Sequence, residues 1–200
     1  MAQAANLHEL AQGGIYVGIT AWTEPTLLEA GFYPEDADTP EGRLKFYASQ
    51  FPITEVDSTY YSPPSERVAK LWAQRTPDDF VFDVKAFRLL THHPTPQKAL
   101  WRDLRDALPA DVMEKRNVYA EKVPQEILDD ALDRFVSALE PLKDAGKLGV
   151  LLFQFPQYFF PARRSYAYME WLAERLDDAG VRGAIEFRQE KWLEATARSA

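Results

Sequence analysis

Short β-rich runs alternate with helical stretches along this chain, and that alternation constrains the fold more than any single motif. Parallel strands need crossover connections, and helices supply them. Five runs read as strands: Ile15 to Thr20 (IYVGIT), Ile53 to Ser58 (ITEVDS), Phe80 to Ala86 (FVFDVKA), Leu148 to Phe155 (LGVLLFQF) and Arg182 to Phe187 (RGAIEF). Most are apolar on both faces, as strands covered by helices must be. Helical patterns span Glu41 to Phe51, Pro63 to Arg75, Pro124 to Ala145 and Arg164 to Ala179. Ser62 followed by Pro63 is the expected start of the second helix, and Gly180 the stop of the fourth. In the third, Ile127, Leu128, Ala131, Leu132, Phe135, Val136 and Leu139 form one apolar stripe, which Pro141 should kink or end.

One connection is out of proportion. Residues 87–123 separate a strand from its main crossover helix, far more than the usual handful. Within them Gln97 to Leu108 can form a short helix, while DVMEKRNVYAEKVP reads as an irregular excursion and a lid. There is no internal repeat. A closed (β/α)8 barrel needs eight strands, so either three units lie outside these 200 residues or the sheet is open.

With 46% hydrophobic residues the chain can bury one sizeable core. A net charge of -8 argues against a generic nucleic-acid or anionic-membrane surface, although a local basic pocket remains compatible with it. The absence of cysteine excludes disulfides, thiolate metal sites and thiol nucleophiles. The opening MAQAANLHELAQGG lacks a basic start followed by an apolar core, so it does not read as a signal peptide. No apolar run approaches the roughly 18 residues of a membrane span, and a cytoplasmic location is the expectation.

In a parallel α/β sheet, functional residues gather at the carboxyl ends of the strands. There the chain places Trp22, then Asp57, Ser58, Thr59 and Tyr60, then Lys85, Arg88 and the pair His92 and His93, then Gln154, and finally Glu186, Arg188 and Trp192. Residues two apart share a strand face, which groups Glu55 with Asp57, Asp83 with Lys85, and Glu186 with Arg188. Carboxylates and cations gathered in a poorly solvated volume must pair, and pairing of that kind shifts pKa values. Asp57 or Glu186 would then move protons, with His92 assisting as the imidazole that titrates near neutrality. Lys85, Arg88 and Arg188 would hold negative charge, and Trp22, Ser58, Thr59, Tyr60, Gln154 and Trp192 would line the substrate. Glu55, deeper in its strand, reads as a structural ion-pair partner of Lys85. A divalent metal is compatible with so many carboxylates, but no ligand motif supports one. The glycine-rich and nucleophile-elbow motifs of dinucleotide-binding proteins, P-loop NTPases and α/β-hydrolases are all absent.

These strand-end segments carry a resemblance. VGITAWT followed by GFYP, then ITEVDSTYY, FVFDVKAFRLLTHH, LGVLLFQFPQYF and AIEFRQEKW, in that order, resemble the DUF72 family, the YecE-like proteins, over nearly all of the chain from Ile15 onward. The resemblance implies a TIM (β/α)8-type barrel with about five of its eight β/α units present. The expected organisation is a flexible lead-in over residues 1–14, read from the opening segment, and a single barrel domain over 15–200 that is incomplete at its C-terminal end, with an insertion or lid over 87–123 read from the length of that connection. The family's recurrent polar positions match Trp22, Glu55, Asp57, Ser58, Thr59, Tyr60, Lys85, Thr91, His92, Gln154, Glu186, Arg188 and Trp192. Ala21 stands where a glycine is usual, Phe87 where a proline is usual, and Gln189 where a histidine is frequent. The expected function is an enzyme acting on a small anionic or carbohydrate-like substrate by general acid/base chemistry. The alternatives are a metal-dependent nuclease- or isomerase-like barrel and a non-catalytic module that binds a small ligand or nucleic acid.

Overall fold

The computed structural model describes residue 11 and residues 13–197; most of the expected lead-in lies outside them. The chain forms two compact units, Met1–Ser58 with Pro64–Val84 and Ala138–Gly149, and Thr59–Pro63 with Lys85–Ser137 and Val150–Ala200.

Seven strands are present among the described residues: β1 (Gly18–Thr20), β2 (Ile53–Val56), β3 (Val81–Lys85), β4 (Thr95–Pro96), β5 (Asn117–Val118), β6 (Leu148–Phe155) and β7 (Gly183–Phe187). Five follow the order β1-β2-β3-β6-β7 in one sheet, which is not closed, and β4 and β5 make a separate antiparallel pair. The β1–β2, β2–β3 and β6–β7 pairings are all parallel. The architecture is therefore a mixed α/β fold built on an open, mostly parallel five-stranded sheet.

In the first unit, Thr54, Val56, Phe82 and Val84 are buried, while Ile53, Glu55, Val81 and Asp83 on the opposite face are half-buried. Tyr47, on the helix Pro40–Gln50, is fully buried, and its hydroxyl accepts from Ile19 N–H at 2.8 Å and donates to Ile53 O at 3.0 Å, tying β1 to β2. β1 begins at Gly18 rather than Ile15. Gly18 pairs with Ile53, and Pro52 before it has no N–H with which to extend the ladder. Gly149 on β6 is required by close approach: a Cβ there would stand 2.1 Å from Asp83 Oδ1.

The helix Glu66–Gln74 starts later than expected. Ser65, not Ser62, is its cap and accepts from Val68 N–H at 3.3 Å, because Ser58–Tyr61 forms a helical turn of its own and Pro63-Pro64 separates the two. Its other end is sealed by Lys147, which is only 3% exposed. The Lys147 ammonium donates to Ala73 O at 2.6 Å, Thr76 O at 2.7 Å and Thr76 Oγ1 at 3.3 Å. Burial holds its pKa below the ordinary lysine value, against the pull of Asp78 and Asp79.

In the second unit, Leu151, Phe153 and Phe155 of β6 are buried, each contributing about 2 kcal/mol or more by removal from water. Helix Gln125–Ser137 buries Ile127, Leu128, Ala131, Leu132 and Phe135 of the stripe expected from spacing, whereas Val136 is half-buried and Leu139 is buried beyond the end of the helix. The next helix along the chain, Glu140–Asp144, belongs to the first unit and has Pro141 in its first turn, so the proline ends one helix and opens the next. Helix Arg163–Asp178 runs to Ala179, and Gly180 takes φ 61° after it, the left-handed stop its position suggests. The stretch DVMEKRNVYAEKVP is not irregular, and Gln97 to Leu108 is a 3-10 turn followed by a helix rather than one helix. The segment 87–123 holds two α-helices, Arg102–Asp106 and Ala110–Met113, three 3-10 turns and the β4–β5 pair. The Gln97 amide fastens them by donating to the carbonyls of Val112, Met113 and Lys115. Single-chain periodicity misses such a segment because each element is too short to show a period.

Candidate functional site

Trp22, Glu55, Asp57 and Ser58 belong to the first unit; Thr59, Tyr60, Lys85, Arg88, His92, Gln154, Glu186, Arg188 and Trp192 belong to the second. Trp22 is half-buried there and meets Trp72 and Phe82 edge-on at 5.8 and 6.3 Å between ring centroids. Asp57 and Glu55 are half-buried on one face of their strand, as parity requires.

Within the second unit Lys85, Arg88 and His93 gather around Tyr60. Thr59, buried, donates its hydroxyl to Lys85 O at 2.6 Å and so fixes the helical turn Ser58–Tyr61 against the end of β3. The Tyr60 ring then lies 5.7 Å from Lys85 Nζ and 5.2 Å from the Arg88 guanidinium carbon, with His93 edge-on at 5.2 Å. Burial raises the Tyr60 pKa, partly offset by Arg88 and Arg188. Arg88 Nε is buried and has no hydrogen-bond partner among the described residues.

Gln154 and Glu186 are register partners on β6 and β7, and the Gln154 amide donates to Glu186 Oε2 at 2.7 Å. Arg188 Nε donates to Glu186 Oε1 at 3.1 Å. Burial alone would raise the Glu186 pKa, but the Gln154 amide, Arg188 and Lys85 outweigh it and hold the carboxyl below its ordinary value. Glu186 is thus an ionised acceptor.

The two histidines part company. His92 caps the 3-10 turn Arg88–Thr91 in the left-handed conformation, φ 60°, and the chain swings between its ring and the next. His93 stays with the cations. Thr91 Oγ1 donates to Arg88 O at 3.2 Å and lies 2.9 Å from His93 Nδ1. With the hydroxyl hydrogen given to that carbonyl, Nδ1 donates and Nε2 carries the lone pair. Burial, then Arg88, Arg188 and Lys85, push the His93 pKa down to about 4, so the ring is neutral near pH 7.

His92 faces a different environment. Its ring meets Tyr168 edge-on at 4.4 Å and Phe159 at 4.8 Å, and its Nδ1 is 3.5 Å from Glu121 Oε2. Nε2 is buried without a hydrogen-bond partner among the described residues. Burial lowers the His92 pKa against the opposing pull of Glu121. This ring lines a cavity of about 420 Å³ that none of Tyr60, Lys85, Arg88, Gln154, Glu186 and Arg188 lines. Trp192 is 5% exposed, stacked on Phe187 at 4.2 Å, and its indole N–H donates to Phe159 O at 2.6 Å. The indole is part of the packing.

Sequence reading singled out His92 and left His93 without a role, and it gave none to Glu121. The signal for His93 was Pro94, which holds its predecessor extended and keeps it from continuing the turn. Among the described residues no three His, Asp or Glu side chains converge as metal ligands, and no helix is long and apolar enough to cross a membrane.

A family model described as "Protein of unknown function DUF72" matches residues 16–199. A curated relative, UPF0759 protein YunF of Bacillus subtilis (strain 168), is 29% identical over 179 residues, which is 90% of this chain and 52% of the relative. Among solved structures, a DUF72 family protein from Thermotoga maritima MSB8 is 28% identical with a TM-score of 0.59, covering 88% of this chain and 56% of that one. Another from Enterococcus faecalis V583, 21% identical with a TM-score of 0.63, covers 92% and 54%. The chain spans about half the length of the relatives it matches.

Proposed function

The chain belongs to the DUF72 family of proteins of unknown function, and from that premise we propose that it is an enzyme acting on a small anionic or sugar-like substrate by acid/base chemistry at the Tyr60 cluster. The observation that carries the reading is His93, held neutral at a pKa of about 4 by burial and by three cations, beside Arg88, whose Nε has a buried donor to give. A buried unpaired donor is costly, and an anion removes the cost.

The chemistry follows from the electrostatics. An anion bound at Arg88 and Arg188 screens the field that depresses His93, so the imidazole becomes a better base when substrate arrives. Glu186, ionised and oriented by Gln154 and Arg188, is the carboxylate proposed to accept or guide the proton. We further propose that the open five-stranded sheet forms staves of a TIM-type barrel, its half-buried polar face turned to the lumen. The five parallel-type staves and the likeness to longer DUF72 structures support that reading.

Inorganic phosphate and sulfate are the probes. Either is expected to raise the melting temperature of the full chain by several degrees, since ligands that bind only the folded state stabilise it. The same anion should raise the His93 pKa in an NMR titration. Arg88→Gln should abolish both responses. A melting temperature and a His93 pKa that ignore every anion would overturn the assignment. Glu186→Gln then tests the carboxylate, because a residue that moves protons loses turnover without losing anion binding.

A further inference from the structure

We propose that the cavity beside His92 binds a neutral sugar ring, at a site separate from the Tyr60 cluster. Its volume of about 420 Å³ suits a small molecule. Two of its aromatic walls, Tyr158 and Phe160, are 53% and 45% exposed and so leave ring surface for a ligand to cover, with Lys191 Nζ 5.5 Å from the Phe160 ring. A pyranose offers what that surface lacks: a face of C–H groups to cover the rings, and a rim of hydroxyls that each donate and accept.

The polar lining matches the rim. Glu121, Gln125 and Arg164 each present two polar atoms side by side, the arrangement that grips neighbouring hydroxyls. The carboxylate and the guanidinium offset one another, so the cavity has no standing preference for a charged ligand. A purely apolar ligand would cover these polar groups without offering them hydrogen bonds, which is costly. His92 sharpens the case. Its backbone is held in the left-handed region, a strain that persists only where surroundings enforce it, and its Nδ1 stands 3.5 Å from Glu121 Oε2, too long for a good hydrogen bond. The other ring nitrogen, Nε2, is buried without a hydrogen-bond partner among the described residues, and a ligand hydroxyl in the cavity this ring lines would supply one. Tyr158, which donates to His92 O at 3.1 Å, ties the wall to the histidine backbone.

Saturation-transfer NMR on the full chain, with methyl glucoside, methyl galactoside and maltose as probes at tens of millimolar, tests this. At least one probe should show saturation of its ring C–H protons. Phe160→Ala removes an exposed ring without touching the core and should abolish the signal, as should Glu121→Gln. Arg188→Gln should leave it intact while losing the phosphate response, which keeps this site's failure distinguishable from that of the Tyr60 cluster. Absence of saturation with all three sugars overturns the proposal. So does a signal that survives both cavity variants, or one that Arg188→Gln removes.

Discussion

Lys147 in the first unit and Arg88 in the second are both cations set among apolar residues, and the fold treats them in opposite ways. Lys147 spends all its donors on Ala73 O, Thr76 O and Thr76 Oγ1, carbonyls and a hydroxyl at the end of one helix. Arg88 keeps Nε buried and unsatisfied while its guanidinium rests over Tyr60. Buried polar groups in native proteins are almost always paired. A paired one is scaffold, and the unpaired one beside a histidine and further cations is the ground of the anion site proposed above.

That contrast breaks most easily at Lys147. Lys147→Ala strands two buried carbonyls at a helix end and is expected to cost about 3 kcal/mol in urea unfolding, with the phosphate-induced gain in melting temperature unchanged. A loss below about 1 kcal/mol would show that water replaces the ammonium cheaply and that the pairing is not scaffold. Arg88→Gln should do the reverse. Stability changes by about 1 kcal/mol or less, as expected when no hydrogen bond from Nε is lost, and the phosphate response disappears.

The sequence made the scaffold legible and the site only half so. β6 runs from Leu148 to Phe155 as its composition demands, and the stripe Ile127 to Phe135 is buried as its spacing demands. These are long elements in which many residues vote for one period. The Tyr60 cluster is legible as a list, since strand ends collect Tyr60, Lys85, Arg88, Glu186 and Arg188, yet its geometry turns on single residues that carry no period. The left-handed backbone of His92 decides which histidine meets the cations, and nothing in THHP announces that conformation. Lys147 was equally silent, because a lysine after a glycine reads as surface until the helix end it seals is in place. The charged face of β2 and β3 was partly hidden too: Glu55 and Asp83 sit among valines and phenylalanines that suggest burial on both sides.

The same contrast predicts a pH profile. Folding lowers the His93 pKa from its ordinary 6.5 to about 4, so between those values the unfolded chain binds more protons than the folded one. The resulting stability is full above pH 6.5, falls as pH drops toward 4, and levels below it. His92, also lowered, adds to the same fall. In Arg88→Gln one cation no longer opposes protonation, the His93 value rises, and the fall over this window becomes shallower. Lys147, lowered as well, makes stability increase as pH rises toward 10.5, and Lys147→Ala should erase that alkaline increase alone. Urea midpoints across the range, with His93 followed by NMR, separate the two. A slope near pH 5 that is identical in wild type and Arg88→Gln would detach His93 from its cations.

The smallest expected effect concerns backbone strain. Among the described residues two non-glycines take positive φ, Ala21 at 58° in the first unit and His92 at 60° in the second. The His92 ring packs against Tyr168 and Phe159, which hold it there. Ala21 has only a methyl group, and its N–H donates to Glu55 O at 2.9 Å, a bond that glycine makes equally well. A left-handed L-residue costs roughly 1–2 kcal/mol, and glycine forfeits part of that gain through the entropy of the unfolded chain. Ala21→Gly should therefore raise stability by about 0.5–1 kcal/mol, and His92→Gly should lower it, because the packing of the imidazole against its aromatic neighbours outweighs the strain relieved. If Ala21→Gly destabilises the protein instead, the positive φ is a conformation that the methyl group itself helps to hold, and strain in the first unit would serve packing as directly as it does around His92.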